Sequence, residues 1–164
     1  MKKLYLIGGP MGVGKTSACR HLKQLLPRSV FLDGDWCWDA APFQVTEETK
    51  AMVMDNICHL LNNFLRCTAY ENVIFCWVMH EQGIIDHILR AVDGSGCAVR
   101  AVSLVCDAQT LRARLAEDVR QGVRTADVIG RSLARLPLYP RLDTCKIDTA
   151  GKSALDVAKE IAAL

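Results

Sequence analysis

The sequence predicts an α/β fold of three layers, in which helices cover both faces of an open, mostly parallel sheet of five strands. Short apolar runs of strand length alternate with helix-length segments, an order that produces right-handed crossovers between parallel strands. The run Asn72–Met79 is apolar on both faces, as expected of a strand covered on both sides. The 164 residues suffice for one domain over residues 1–164, and no linker or repeat divides them.

Five apolar runs have the length of strands. They lie at Leu4–Ile7, Ser29–Leu32, Asn72–Met79, Cys97–Cys106 and Cys145–Asp148. Each is bounded by turn-forming or polar residues, and the first ends at Gly8, Gly9 and Pro10. Because the carboxyl ends of parallel strands meet at one edge, the polar residues that follow these strands should line a common ligand-binding edge.

The segments between the strands predict helices. The expected helices are Thr16–Leu26, one from about Thr46, Gln82–Val92, Ala108–Arg120, about Ala126–Leu136 and one from Ser153. Pro27 and Pro137 end the first and the fifth of them. Ser153 is expected to cap the last helix, with Asp156 three residues later as its capping partner.

Composition and charge exclude several classes of partner. The net charge of +2 is too small to indicate nucleic acid or an anionic membrane, and no stretch reaches transmembrane length. Seven of the twelve arginines nevertheless lie between Arg112 and Arg141, which favours an anionic ligand. The eight cysteines are scattered singly and the apolar N-terminal run is too short for a secretory signal. We therefore expect a cytoplasmic protein with reduced thiols.

The strongest motif is G-x-x-x-x-G-K-T, at Gly9–Thr16 between the first strand and the first helix. Glycines at this spacing let backbone N–H groups surround a phosphate, and the helix N-terminus adds its positive dipole. Lys15 would reach the β- and γ-phosphates, and the Thr16 hydroxyl would bind Mg²⁺. The residues expected to bind the nucleotide are Gly9, Gly12, Val13, Gly14, Lys15, Thr16 and Ser17. A second "GKS", at Gly151–Ser153, lacks the leading glycine of the motif.

Two carboxylates, Asp33 and Asp35, follow the second strand and flank Gly34. Their place at the ligand-binding edge favours a role in the site, whereas an Asx-type turn with Gly34 is the structural alternative. Trp36 and Trp38, which come next, either wall an acceptor pocket or belong to the core. His80 and Glu81 after the third strand either serve the site or begin a helix.

The stretches "GGPMGVGKT", "FLDGD" and "LRARL", with the arginines before the fifth strand, resemble the small P-loop kinases. That group includes shikimate kinase, gluconate kinase, adenylylsulfate kinase and chloramphenicol phosphotransferase. A guanine-recognising N-K-x-D stretch and an acid at the end of the third strand are both absent, which argues against switch GTPases and motors. The resemblance implies the P-loop NTPase fold with strand order 2-3-1-4-5 and an arginine-bearing lid over about 120–136.

The resemblance also implies roles for single residues. Asp33 would act through the magnesium shell and Asp35 as the general base for the acceptor hydroxyl. Arg114 would stack on adenine, and the loop Asp148–Ser153 would edge it. Arginines that close on the phosphates would come from Arg120 and Arg124, with Arg131 and Arg135 as further candidates.

We therefore expect an ATP- and Mg²⁺-dependent kinase that phosphorylates a hydroxyl of a small molecule. A polynucleotide 5′-hydroxyl kinase shares these parts, but the near-neutral charge argues against a basic nucleic-acid channel. A nucleotide-binding regulatory protein without transfer activity is the third reading, because the chain lacks an acid at the end of the third strand. The shape and charge of the cavity between Asp35 and Lys15 should indicate which acceptor fits.

Overall fold

The computed structural model describes residues 1–164, and its five strands form one sheet. The strands are β1 (Lys2–Gly8), β2 (Ser29–Asp33), β3 (Asn72–Cys76), β4 (Cys97–Val105) and β5 (Cys145–Asp148). They lie in the order β2-β3-β1-β4-β5, and all four neighbouring pairs are parallel. The predicted fold class and strand order are confirmed.

Six α-helices connect the strands or follow them. They are α1 (Lys15–Leu25), α2 (Glu47–Arg66), α3 (Gln82–Ala91), α4 (Ala108–Arg120), α5 (Asp127–Arg135) and α6 (Ala154–Ala162). Two 3₁₀ helices, Gly34–Cys37 and Leu136–Arg141, lie where the sequence predicted no helix of their own. No helix combines the length and the apolarity that crossing a membrane requires.

Side-chain caps fix where three of the helices begin. Thr46 and Thr49 form a reciprocal capping box at α2. Asp107 accepts a hydrogen bond of 2.7 Å from the Thr110 amide at α4. The Asp156 amide donates to Ser153 Oγ at 3.1 Å at α6, as predicted. Each cap satisfies an N–H group that the first helical turn leaves without a partner. Asp107 therefore has a structural role, although it follows a strand at the ligand-binding edge.

The hydrophobic core is divided between the two faces of the sheet. Successive side chains of β1 point to opposite faces, so Tyr5 and Ile7 join one cluster while Leu4 and Leu6 join the other. The first cluster includes buried residues of α1, α4 and α6, and the second includes those of α2 and α3. This division produces the three predicted layers. All eight cysteines are free, and four of them are buried as small apolar groups.

The third strand is shorter than its apolar run predicts. β3 ends at Cys76, and Met79 has a φ of 39°, a left-handed conformation that cannot continue a strand. The segment stays beside β1 through isolated bonds, from the Trp77 amide to Ile7 O at 3.2 Å and from the Gly9 amide to Val78 O at 3.3 Å. It is apolar because Met79 still packs into a core cluster. Trp77 and Val78 are thereby placed next to the phosphate loop.

Candidate functional site

The loop between β1 and α1 has the backbone that its glycines predicted. Gly9, Gly12 and Gly14 all have positive φ values, of 152°, 85° and 103°. A Cβ at Gly12 would lie 2.5 Å from Leu115 Cδ2, so a side chain there would collide with α4. The loop and the first turn of α1 line a cavity of about 410 Å³, called the phosphate cleft below. The positive end of the α1 dipole therefore faces a space large enough for phosphate groups.

Lys15 is held over the loop by main-chain oxygens. Its Nζ donates to Gly9 O at 2.8 Å and to Pro10 O at 2.9 Å. Burial lowers the pKa of the Lys15 ammonium, whereas the nearby Asp35 and Asp33 carboxylates raise it. The same cavity contains Lys15 and both carboxylates, so the cation and the acids predicted from the sequence do meet at one site.

Asp33 uses both carboxylate oxygens within the fold. Oδ2 accepts a hydrogen bond from Thr16 Oγ1 at 2.8 Å, and Oδ1 accepts one from the Asp35 amide at 3.0 Å. The side chain is only 5% exposed and caps the 3₁₀ helix Gly34–Cys37. The sequence left a turn and a place in the site as alternatives for Asp33. The residue does both, because it caps the turn and also lines the cleft. Its contact with Thr16 brings together two oxygen groups of the kind that bind Mg²⁺.

Asp35 lies in the first turn of that 3₁₀ helix; the residue as a whole is exposed, but its carboxyl group lines the cleft. Partial desolvation by the surrounding protein raises the pKa of this carboxyl group, and the charge of Asp33 raises it further. Lys15 and Arg124 oppose this shift. Asp35 is thus a carboxylate with a stronger affinity for protons than an ordinary aspartate, positioned beside the phosphate loop.

Arg114 connects the phosphate loop to the loop after β5. Its guanidinium donates to Val13 O at 3.1 Å, to Thr149 Oγ1 at 2.8 Å and to Thr149 O at 2.9 Å. A smaller cavity of about 240 Å³ lies beside it, lined by Ser17, Lys152 and Val157 among others. The residues predicted to surround adenine, Arg114 and part of Asp148–Ser153, therefore lie together next to the phosphate cleft.

The four candidate lid arginines lie in three different places. Arg124 lines the phosphate cleft, and its Nε donates to Asp118 Oδ2 at 3.0 Å. Arg131 and Arg135 line a separate cavity that adjoins this cleft at Asp35. Arg120 pairs with Glu117 at 2.6 Å, has a side chain 74% exposed, and lines neither space. Of the four, only Arg124 lines the phosphate cleft.

The predicted lid segment divides into an exposed turn and an anchored helix. Residues 121–127 are exposed apart from the half-buried Arg124. In α5, by contrast, Val128 belongs to the core and the Ser132 hydroxyl donates to Met11 O in the phosphate loop at 2.7 Å. The anchored helix therefore forms a wall of the site.

A second cavity, of about 400 Å³, adjoins the phosphate cleft and shares Asp35 and Trp77 with it. Its walls are mostly apolar, and the Trp38 and Phe43 rings lie 4.4 Å apart between centroids. Trp36 lies outside it: that side chain is 57% exposed and packs edge-on against Phe31 at 5.2 Å. Trp36, within the 3₁₀ helix, and Trp38, directly after it, thus have different environments.

His80 lines the second cavity, whereas Glu81 precedes α3 as an exposed residue. His80 Nδ1 is buried without a hydrogen-bond partner, and Nε2 lies 3.4 Å from Glu81 Oε1. Burial lowers the pKa of the His80 imidazole, and the charge of Arg135 adds to the effect. His80 therefore favours its neutral form.

Trp77 is a site residue that sequence reasoning missed. It lines both cavities and lies so close to Gly34 that a Cβ there would be 2.5 Å from Trp77 Cγ. The available signal is its position near the end of an apolar run on the ligand-binding edge, but the continuous apolar run predicts that the strand extends through Trp77 to Met79. Phe43 was missed because it comes from an irregular loop far from any motif.

Comparison with known proteins agrees with this architecture. Residues 6–130 match a family model described as an AAA domain. The structure is similar to that of the Deinococcus radiodurans tunicamycin resistance protein, with a TM-score of 0.75 and 24% identity over 99% of this chain and 95% of that one. No match was found among curated proteins.

Two further solved structures are kinases by name. Shikimate kinase from Acinetobacter baumannii, in complex with shikimate, matches with a TM-score of 0.63 and 24% identity, over 99% of this chain and 91% of that one. The Mycobacterium tuberculosis APS kinase, in complex with AMPPNP and APS, matches with a TM-score of 0.67 and 14% identity, over 99% and 96%. The resemblance to the small P-loop kinases is therefore confirmed at the level of the fold.

Proposed function

The chain belongs to the AAA domain family, and we propose that it is a kinase that transfers the γ-phosphate of ATP to a hydroxyl group of a small molecule. One observation carries the proposal: Asp35 lines both the phosphate cleft and the second cavity. A carboxylate at the junction of the two spaces would contact both reactants of a phosphoryl transfer. The APS kinase neighbour, solved with AMPPNP, supports a nucleoside triphosphate as the donor.

In this proposal the phosphate cleft positions the donor. The loop amides and Lys15 would hold the β- and γ-phosphates, as the motif predicts. Arg124 would leave its contact with Asp118 and would instead stabilise the negative charge that develops on the transferred phosphoryl group. Phosphoryl transfer depends mainly on such positioning and electrostatic stabilisation. The adenine would lie in the smaller cavity beside Arg114, Thr149 and Lys152.

Thr16 and Asp33 would hold Mg²⁺. Their oxygens are within 2.8 Å of each other, and hydroxyl and carboxylate oxygens are ligands that this ion prefers. When bound, the ion would supply positive charge that neutralises the phosphates. Asp33 is better suited to this role than to proton transfer, because both its oxygens already accept hydrogen bonds.

Asp35 would act as the general base. The acceptor oxygen forms a bond to the γ-phosphorus of ATP. At the same time the bond from that phosphorus to the oxygen that bridges the β- and γ-phosphates breaks, and ADP leaves with that oxygen. The acceptor hydroxyl proton passes to the Asp35 carboxylate. The raised pKa of Asp35 suits this step, since proton acceptance becomes more efficient as the pKa of the base approaches the working pH.

The test is ATP turnover across a panel of hydroxylated metabolites, nucleosides and 5′-hydroxyl oligonucleotides. At least one small acceptor should raise ADP formation above basal hydrolysis. Asp35→Asn should lower the acceptor-dependent rate about 10²- to 10⁴-fold while leaving ATP affinity unchanged. Asp39→Asn is the matched control, because Asp39 is exposed and lines neither the cleft nor the second cavity.

Two results would contradict the proposal. If no acceptor raises turnover and Asp35→Asn hydrolyses ATP like the wild type, the protein is a nucleotide-binding protein without transfer activity. If only the oligonucleotides are phosphorylated, the acceptor is a polynucleotide 5′-hydroxyl group.

A further inference from the structure

A buried serine of α5 holds the phosphate loop from outside the loop's own motif. The Ser132 hydroxyl donates to Met11 O at 2.7 Å, and the residue is only 2% exposed. A serine within a helix ordinarily faces solvent or donates to a carbonyl of the preceding turn of its own helix. Ser132 does neither, and Val128, one turn earlier on the same face of α5, lies in the core. The bond therefore joins α5 to a loop that lies 121 residues earlier in the chain.

Ser132 differs from the other side chains that hold carbonyl groups of the loop. Lys15 and Arg114 hold carbonyls on either side of Met11, and both of these residues line the phosphate cleft themselves. Ser132 lines neither the phosphate cleft, nor the smaller cavity beside Arg114, nor the second cavity. Any effect of Ser132 on the reaction must therefore pass through Met11.

The bond to Met11 O also fixes the direction of an N–H group. The peptide between Met11 and Gly12 is trans, and in a planar trans peptide the C=O and the N–H point in opposite directions. Gly12 has a φ of 85° and no side chain, so its own conformational preference restrains this plane weakly. Its N–H donates to no main-chain oxygen, and the residue lines the phosphate cleft. The hydroxyl of Ser132 thus holds a peptide whose N–H points away from α5 and is free for a ligand.

We propose that Ser132 is a positioning residue for the donor phosphates, which holds the Met11–Gly12 peptide so that the Gly12 N–H is presented to a phosphate oxygen. The inference rests on the proposed function in one respect, that the loop binds the phosphates of a nucleoside triphosphate. An amide that is oriented before binding needs no ordering when the phosphate arrives, and its hydrogen bond to an anion is charge-assisted. Ser132 therefore raises the affinity for the donor without contacting it.

The sequence allows this single peptide group to be observed by NMR. Met11–Gly12 is the only step in the chain at which glycine follows methionine. Methionine labelled with ¹³C at its carbonyl carbon, together with glycine labelled with ¹⁵N, therefore gives one correlation between the Met11 carbonyl and the Gly12 amide. The carbonyl resonance responds to the hydrogen bond that Met11 O accepts, and the amide proton resonance responds to the one that the Gly12 N–H donates.

Ser132→Ala should change both resonances. The Met11 carbonyl signal should move to lower frequency, because the oxygen loses its donor. AMPPNP with Mg²⁺ should move the wild-type Gly12 amide proton to higher frequency, and this movement should be smaller in the variant. Titration calorimetry should show that the affinity for AMPPNP falls about 10-fold, since a misaligned amide forms a weaker bond to a charged phosphate. Ser132→Cys, which keeps a weak donor, should lie between the variant and the wild type.

Ser103→Ala is the matched control. Ser103 is fully buried on β4, and its Oγ lies 2.7 Å from Thr144 Oγ1, so the control also removes one hydrogen bond of a buried serine. Ser103 lines neither the phosphate cleft nor the smaller cavity. Both alanine variants should lower the melting temperature, because each leaves a buried polar group without its partner. Only Ser132→Ala should change the response of the Gly12 amide to AMPPNP.

The inference is overturned if AMPPNP moves the Gly12 amide equally in Ser132→Ala and the wild type, or if Ser103→Ala weakens AMPPNP binding as much as Ser132→Ala does. A wild type that does not bind AMPPNP would reject this inference together with the proposed donor. Weaker AMPPNP binding by Ser132→Ala, in a protein that no acceptor stimulates to form ADP, would reject the kinase and keep the role of Ser132. Acceptor-dependent ADP formation with equal AMPPNP affinity in Ser132→Ala and the wild type would keep the kinase and reject that role.

Discussion

The phosphate cleft and the second cavity share Asp35 and Trp77 but are built in opposite ways. The cleft is polar: residues of the stretch Gly12–Ser17 form one wall, and its other polar residues come from the end of β2, from α4 and from the turn after α4. The second cavity is mostly apolar, and its residues come from the β2–α2 segment, the end of β3 and α5, with Met11 of the phosphate loop and Ile84 of α3. One space is therefore built around a contiguous motif, whereas the other depends on long-range packing throughout.

This difference explains why the proposed donor site can be recognised from the chain more readily than the proposed acceptor site. Backbone N–H groups that surround a phosphate require a local conformation, which neighbouring residues specify. Recognition of an acceptor requires a shape and a few placed charges, which residues distant in sequence provide. The two spaces should accordingly respond differently to substitution.

Among substitutions of Lys15, Gly34 and Arg124, the largest effect should follow from Lys15→Ala. Loss of the only lysine in the phosphate cleft should lower kcat/KM for ATP by about 10²- to 10³-fold, since a charge aimed at the transferred group is lost. Titration calorimetry should show weakened ATP binding, because the ammonium group no longer contacts the phosphates. Lys159→Ala, an exposed lysine on α6, is the control. Equal ATP turnover by Lys15→Ala and the control would show that the loop is not a phosphate site.

Gly34→Ala should disturb the second cavity through Trp77. The added Cβ would lie 2.5 Å from Trp77 Cγ, so the indole or the 3₁₀ helix must move, at a cost of about 1–3 kcal/mol in the free energy of unfolding. Chemical denaturation measures this cost. Gly130→Ala in α5 has no atom within 4 Å of its new Cβ and should be neutral or stabilising by up to about 1 kcal/mol. If the two variants are equally stable, the close packing of Trp77 on Gly34 does not contribute to the stability of the fold.

The smallest effect should be a change in the pH dependence of turnover. A base must be ionised, so activity should be present above the pKa of Asp35 and be lost as the pH falls through it. Because burial and Asp33 raise this pKa, the loss should begin above the ordinary aspartate value of 3.8. Arg124→Gln removes a charge that lowers the pKa, so the acid limb of the kcat/KM profile should move to higher pH. If the acid limb does not move, the charge of Arg124 does not influence the pKa of Asp35.

Sequence reasoning reached the fold because its signals are local. Apolar runs and proline breaks gave every strand and α-helix, and errors fell at element ends such as Cys76, where left-handed Met79 turns the chain. It reached the acids after β2 because parallel strands bring their carboxyl ends to one edge. It could not rank the four lid arginines, because their pairing with Glu117, Asp118 and Asp127 depends on side-chain directions that spacing does not specify.

Local signals in the amino-acid sequence specify the phosphate loop, the order of secondary structure and the position of Asp33 and Asp35 beside that loop. These follow from backbone conformations and apolar periods that neighbouring residues impose. The folded chain, by contrast, is needed to see that Trp38 lines a cavity while Trp36 packs on Phe31, and that Trp77 covers Gly34. The same packing leaves the Arg135 side chain without an ion pair, although Arg120, Arg124 and Arg131 each have one. Such features arise where segments far apart in the chain meet, because packing and charge balance there depend on all the partners at once.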